Sequence, residues 1–264
     1  MSTLRRRLMT ANQGVDDDYI VFADPNVEAI CAANWGKKGK LTYKQAAKVT
    51  SLGTVFRANT TITSFDELQY FTGLTSIGSA DTSANGTFYG CTALASVVIP
   101  SSVTSIRGYS FYGCTHLAHV GSLTNVTIIG TYAFYNCAAL RIEVSCPNLT
   151  SIGASALRLS GITKILDLGS ITTTNTYLCS NCGNITEIHI PATCTTIGRC
   201  AFETSNETAT PTAVVYSYRT TPPSYGTSCF RAAKVSVVYV PSESVSSYKS
   251  SWSALSSKIQ ANPT

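Results

Sequence analysis

The chain has 264 residues, enough for one extended repeat array or two compact domains. Only 12% of them are charged, so hydroxyl side chains and turns carry much of the polar surface, and the net charge of +5 owes three units to Arg5, Arg6 and Arg7. No basic stripe interleaved with aromatics is present, which argues against a nucleic-acid partner, and no apolar run of about 18 residues predicts a membrane span, so no membrane insertion is expected.

From the N-terminus, residues 1–19 read as a flexible arm, basic and then acidic with no apolar period. The basic cluster is followed by Asn12 and Gln13, not by the apolar stretch of a secretory signal. Residues 20–73 read as a helix–loop–helix. Asp24 before Pro25 is a natural N-cap, and Thr42 can cap a second helix over residues 43–49. Between them, residues 34–45 resemble an EF-hand or dockerin-type loop. Its ligand positions hold Asn34, Gly36, Lys38 and Gln45, where calcium needs early anionic oxygens and a terminal bidentate carboxylate. A structural cap is the expectation, with no metal and no cofactor.

Residues 74–241 contain an internal repeat. Phe88-Tyr89-Gly90-Cys91, Phe111-Tyr112-Gly113-Cys114 and Phe134-Tyr135-Asn136-Cys137 stand 23 residues apart. The phase continues through Leu157, Cys179 (one residue early) and Phe202. Ile106, Ile129, Ile152 and Ile197 form a second column, and Leu94, Leu117, Leu140 and Ile185 a third. Within a unit, Ser96-Val97-Val98-Ile99-Pro100 and Glu187-Ile188-His189-Ile190-Pro191 alternate like short strands that end at a proline. One such unit cannot bury its apolar side alone, so stacking has to supply the core. Residues 242–264 are expected to be a capping helix, because Val245, Tyr248, Trp252, Leu255 and Ile259 recur at helical spacing.

The pattern SIxxxxFYGCxxLxxVxIPxxVTSI resembles the BspA-like class of leucine-rich repeats, found on bacterial surface proteins and in some phage-encoded proteins. The resemblance implies an α/β repeat fold: a right-handed leucine-rich-repeat solenoid of 23-residue coils, used for binding or adhesion, with helical caps expected at both ends.

The ten cysteines fall largely on the repeat columns: Cys182 with Cys91, Cys114 and Cys137, Cys179 with the aromatics, Cys194 with Val103. Packed thiols are the expectation, with a disulfide between neighbours or a metal site as alternatives; the pair Cys179-x-x-Cys182 lacks the second pair of a zinc site. The histidines His116, His119 and His189 form no HExxH, and neither a nucleophile elbow nor a phosphate loop occurs, so no catalytic residue is assigned. Asn125, Asn148 and Asn184, each in Asn-x-Thr, read as turn asparagines. Alternation along the strands puts Val98, His119, Arg141, Glu143, Ile165, Asp167, Glu187 and His189 outward, and these are the candidate ligand-facing residues. The expected function is non-enzymatic recognition of a protein or cell-surface glycan, as a virion fibre or decoration docked to other virion proteins through its N-terminal arm, or at a bacterial surface. The alternative is an intracellular scaffold without an external ligand.

Overall fold

The computed structural model describes residues 18–183, 185–203, 213–230 and 234–263. The expected arm therefore falls almost wholly outside the described residues, as does Asn184. Helix α1 (Pro25–Trp35) begins at Asp24, whose Oδ1 accepts from the Asn26 amide at 2.8 Å. Asp24 Oδ2 accepts from both the amide and the hydroxyl of Thr63, at 2.6 and 2.8 Å. One carboxylate thus caps the helix and ties it to the first repeat strand. Burial pushes this carboxyl up, but the bonds from Thr63 and Asn26 outweigh it and hold the group below the usual carboxylate range.

Helix α2 (Tyr43–Ala46) starts in a reciprocal cap, with Gln45 N donating to Thr42 Oγ1 and Thr42 N donating to Gln45 Oε1. Gln45, the last position of the calcium-like loop, is committed to that cap. Asn34, the first position, donates back to Ile30 O of its own helix. Between them the chain closes as a tight hairpin through Lys37 and Lys40, with Lys38 and Gly39 at positive φ.

Beyond residue 50 the repeat governs. One set of short strands comprises β2 (Ser76–Ile77), β4 (Ser105–Ile106), β5 (Ile128–Ile129) and β7 (Ser151–Ile152), all parallel. In its regular part the register pairs Ile106 with Ile129 and Ile129 with Ile152, residues 23 apart in sequence. Strands β10 (Thr196–Ile197) and β12 (Ser224–Tyr225) pair in parallel further along the chain.

The second set begins with β1 (Ser64–Phe65) beside β3 (Ser96–Val97), and a bridge from Ser96 to His119 carries it onward. It then broadens into a six-stranded parallel sheet of β6 (Glu143–Ser145), β8 (Lys164–Asp167), β9 (Glu187–Ile190), β11 (Ala213–Ser217), β13 (Val235–Val240) and β14 (Ile259–Ala261). Val144, Ile165, Ile188, Val215, Val238 and Ile259 are register partners across these strands, and all are buried. Parallel pairing starts at Ser64, so the N-terminal segment already shares the repeat ladder.

The third side of each unit is the aromatic turn. Phe56, Phe88, Phe111 and Phe134 stack in file, with ring centroids 5.1–5.3 Å apart. Each cysteine of the next column donates to the carbonyl of an aromatic residue one unit back: Cys114 Sγ to Phe88 O, and Cys137 Sγ to Phe111 O. Threonine hydroxyls brace the units in the same direction, as Thr127 and Thr150 bond to the carbonyls of Thr104 and Thr127. Asn125 and Asn148 reach back to Ser101 O and Thr124 O in a matching way. The hydroxyl-rich composition therefore serves cohesion between units as well as hydration.

The C-terminal segment departs from expectation. Helix α3 (Val245–Ser251) ends after two turns, a 3-10 stretch covers Ser253–Lys258, and Ile259 belongs to β14. Of the apolar residues at helical spacing, Tyr248, Trp252, Leu255 and Ile259 are buried and Val245 is half-buried, but three kinds of backbone carry them. Tyr248 bonds Arg219 O and Ser217 Oγ, and Trp252 Nε1 donates to Pro223 O, so each large side chain ends on a polar group of the preceding segment.

Phe111 is fully buried between two stacked rings. Phe111→Ala is expected to lower the unfolding free energy by about 3–5 kcal/mol, read from urea denaturation followed by circular dichroism.

Candidate ligand-binding face

The outward side of the six-stranded sheet gathers part of the expected set. Lys164 Nζ lies 3.1 Å from Glu143 Oε1 and 3.7 Å from Glu187 Oε2, bridging two carboxylates on flanking strands. Glu187 also holds His189, with Oε1 2.7 Å from Nε2, while the other ring nitrogen, Nδ1, lies 2.7 Å from the hydroxyl of Tyr218. Burial first, and then Tyr216 and Glu187, push the Tyr218 phenol up, so it remains a neutral donor. The His189 ring also packs against Tyr216, centroids 4.5 Å apart, and Tyr216 stacks on Tyr239 at 5.3 Å. The register sets His189, Tyr216 and Tyr239 directly side by side across β9, β11 and β13.

Beside this row a depression of about 250 Å³ is lined by Leu166, Asp167, Leu168, His189, Pro191 and Tyr218. Asp167 Oδ1 accepts from the Gly169 amide at 2.7 Å. Both ring nitrogens of His189 are engaged, by Glu187 and by Tyr218. The arrangement offers an aromatic row, a carboxylate and a phenol at the rim of a shallow hollow, which suits binding by stacking and hydrogen bonds.

One correction to the sequence reading follows. Ile165 is not outward: it is 0% exposed and pairs with Val144 and Ile188 in the core. Lys164 takes the outward place. The cause is a register shift, in which Val144 pairs with Ile165 but Ser145 pairs with Asp167, leaving Leu166 as an extra residue. Strict alternation cannot carry both ends of β8 across that irregularity. Val98 is half-buried, while His119 and Arg141 are exposed on earlier units, and no hydrogen bond or ion pair joins their side chains to the His189 cluster. Lys164, Tyr216, Tyr218 and Tyr239 were missed. The run Val214-Val215-Tyr216 has strand-forming residues, and two-residue alternation along it sets Tyr216 outward.

All ten cysteines are buried free thiols. Among the described residues no group of histidine, cysteine and carboxylate side chains is placed to hold a metal. Burial pushes the thiols of Cys91, Cys146 and Cys229 up to about 12, and those of Cys114, Cys137 and Cys179 well above their ordinary value. Burial raises the Cys182 thiol too, but hydrogen bonds with Cys179 and Ser160 outweigh it and hold the group below its ordinary value, so its protection rests on burial. Native protein is expected to resist alkylation by a thiolate-specific reagent at pH 8, with all ten thiols becoming reactive on unfolding. Since the raised thiols hold their protons more tightly folded than unfolded, stability should fall as pH rises from about 9 toward 12. Fast alkylation without unfolding would contradict the packing described.

Among the described residues no helix is long and apolar enough to cross a membrane. No curated protein matches the chain. The solved structure of a leucine-rich repeat protein from Bacteroides ovatus is similar at 19% identity, over 63% of this chain and 59% of that one, with a TM-score of 0.38. This chain thus spans about three-fifths of that structure's length. A model of the BspA type leucine rich repeat region matches residues 82–208 in six copies, and over that stretch, in which the stacked phenylalanines, the thiol-to-carbonyl bonds and the parallel strand pairs recur, the chain is similar to the BspA-type leucine-rich repeat family.

Proposed function

We propose that the chain is a non-enzymatic recognition module, a right-handed solenoid of 23-residue coils that offers its six-stranded sheet to a protein or glycan on a cell surface. The row His189–Tyr216–Tyr239, with Tyr218 42% exposed at its rim, carries this reading. The inner side of the same sheet is sealed by Val144, Ile165, Ile188, Val215, Val238 and Ile259, so outer side chains can vary without disturbing the core. Tyrosine rings give large contact area at low entropic cost, and they dominate the energetic centres of many interfaces. The segments at residues 20–73 and 242–264 act as caps, closing the apolar ends that stacking leaves open. The narrower setting expected from the sequence, a virion fibre or decoration held by residues 1–19, belongs to this reading and is lost if purified virions contain no such chain.

The test is binding of the purified chain to whole cells and to arrays of surface glycans and proteins, wild type against a Tyr216→Ala/Tyr218→Ala double variant. A loss of about tenfold or more at every bound target, with an unchanged far-ultraviolet spectrum, is expected. Equal binding by the double variant would remove the sheet as the recognition face. Absence of any bound target would favour the scaffold alternative.

A further inference from the structure

A second aromatic array lies on the turn side of the units, away from the strands. The position after each core aromatic reads Arg57, Tyr89, Tyr112, Tyr135 and Arg158 in successive units. The three tyrosine rings stack almost parallel, Tyr89 on Tyr112 at 4.9 Å and 4°, Tyr112 on Tyr135 at 4.8 Å and 7°. The guanidinium of Arg57 sits 4.5 Å from the centroid of Tyr89, and that of Arg158 sits 5.9 Å from Tyr135 and 4.9 Å from Tyr177. Five side chains thus form one continuous file with a cation at each end.

A second file, Tyr109 against Tyr132 at 5.0 Å, packs beside it. Tyr109, Tyr132 and Tyr177 all have φ near +57°, a left-handed conformation that bulky side chains rarely adopt. Glycine or asparagine would hold the same turn more cheaply, so the core does not explain why tyrosine stands there.

Among the described residues, the hydroxyls of Tyr89, Tyr112 and Tyr135 have no protein hydrogen-bond partner, whereas Arg57 Nε donates to Ser83 O at 3.4 Å and Arg158 Nε is buried without a partner. Of the five arginines between residues 50 and 203, four (Arg57, Arg107, Arg158 and Arg199) stand on the turn segments, against the acids Asp81 and Glu203. Asp81 is already engaged with the Gly108 amide. The surface is therefore net basic, unlike the sheet face with Glu143, Asp167 and Glu187 around one lysine.

Spacing decides among acidic partners. An extended peptide repeats its side chains on one face every two residues, at about 6.5 Å, out of step with rungs of 4.8–4.9 Å. Single-stranded nucleic acid stacks on free ring faces, and here the faces are spent on one another. A second copy of this chain would set arginine against arginine in either orientation. An extended chain of hexose units advances by close to one rung per sugar, and uronate carboxylates can take the guanidinium edges in bidentate fashion.

We propose that this Arg–Tyr–Tyr–Tyr–Arg file is a binding site for an acidic, uronate-bearing polysaccharide, read one sugar per unit and independent of the sheet face. Four rungs separate the two arginines, so about five sugars fill the file at the strand spacing.

The probe is a length series of oligogalacturonates, titrated calorimetrically at low salt against the whole chain, with neutral galactan as control. Binding should strengthen with length up to about five sugars and then level off, and weaken as salt rises. The Arg57→Gln/Arg158→Gln pair should lose about tenfold or more, and Tyr112→Phe, which keeps the stack and removes one hydroxyl, a few-fold. Thermal melts establish that both variants fold. Tyr216→Ala/Tyr218→Ala should leave this affinity unchanged, which separates the site from the sheet face. The proposal is overturned if oligogalacturonates fail to bind, if the arginine pair binds as wild type does, or if poly-glutamate binds as tightly. It is equally overturned if the arginine substitutions abolish a dimer seen in light scattering.

Discussion

Each unit takes its hydrogen bonds from its neighbours. The amide of Phe111 donates to Ala133 O in the next unit, while the thiol of Cys114 donates to Phe88 O in the one before. The same pattern holds for Phe134 with Ala156 O and for Cys137 with Phe111 O. Burying the turn column removes these backbone groups from water, and an unpaired buried amide or carbonyl costs as much as a lost bond. The turns are therefore viable only as a stack, and sulfur is used there because a small apolar side chain with one weak donor fills the gap and satisfies the carbonyl together.

That constraint sets the backbone. The residue two places after the core aromatic is left-handed in successive units: Gly90 and Gly113 at φ 71°, Asn136 at 56°, Leu159 at 59° and Asn181 at 59°. The turn must reverse within a few residues to return its carbonyl to the ladder, and this conformation does it. Glycine and asparagine accept it readily; Leu159 does not, and it accompanies the unit in which Leu157 replaces phenylalanine and Ser160 replaces cysteine. There the Ser160 hydroxyl turns to Leu157 O within its own unit, and Cys182 Sγ supplies the bond between units.

The columns could be read from the sequence because they obey one period and one chemistry. Phe88, Phe111 and Phe134, the isoleucines from Ile106 to Ile197 and the cysteines had to be apolar to stack, and they are. The outer surface was less legible. Ile165 was placed outward because two-residue alternation was carried through an extra residue at Leu166, a local event that leaves no mark in composition. Tyr89, Tyr112 and Tyr135 were visible in the repeated motif, but a tyrosine next to a buried phenylalanine reads as part of the same turn. Folding is what stacks the rings on one another and sets cations at both ends. The C-terminal segment misled for a different reason: a 3, 4, 3, 4 spacing of apolar residues fits a helix, yet Ile259 pairs beside Val238 in the sheet.

The fixed spacing of the tyrosine file has a consequence for how such a chain can change. Each rung belongs to one unit, and each unit meets its neighbours through the same bonds. Duplication of a 23-residue segment in the regular region would thus lengthen the file by one rung and leave the core chemistry as it was. Loss of a segment would shorten it by the same step. The molecule behaves like a ruler whose graduations are inherited whole, so its reach can drift by copy number while point substitution tunes the outer side chains separately.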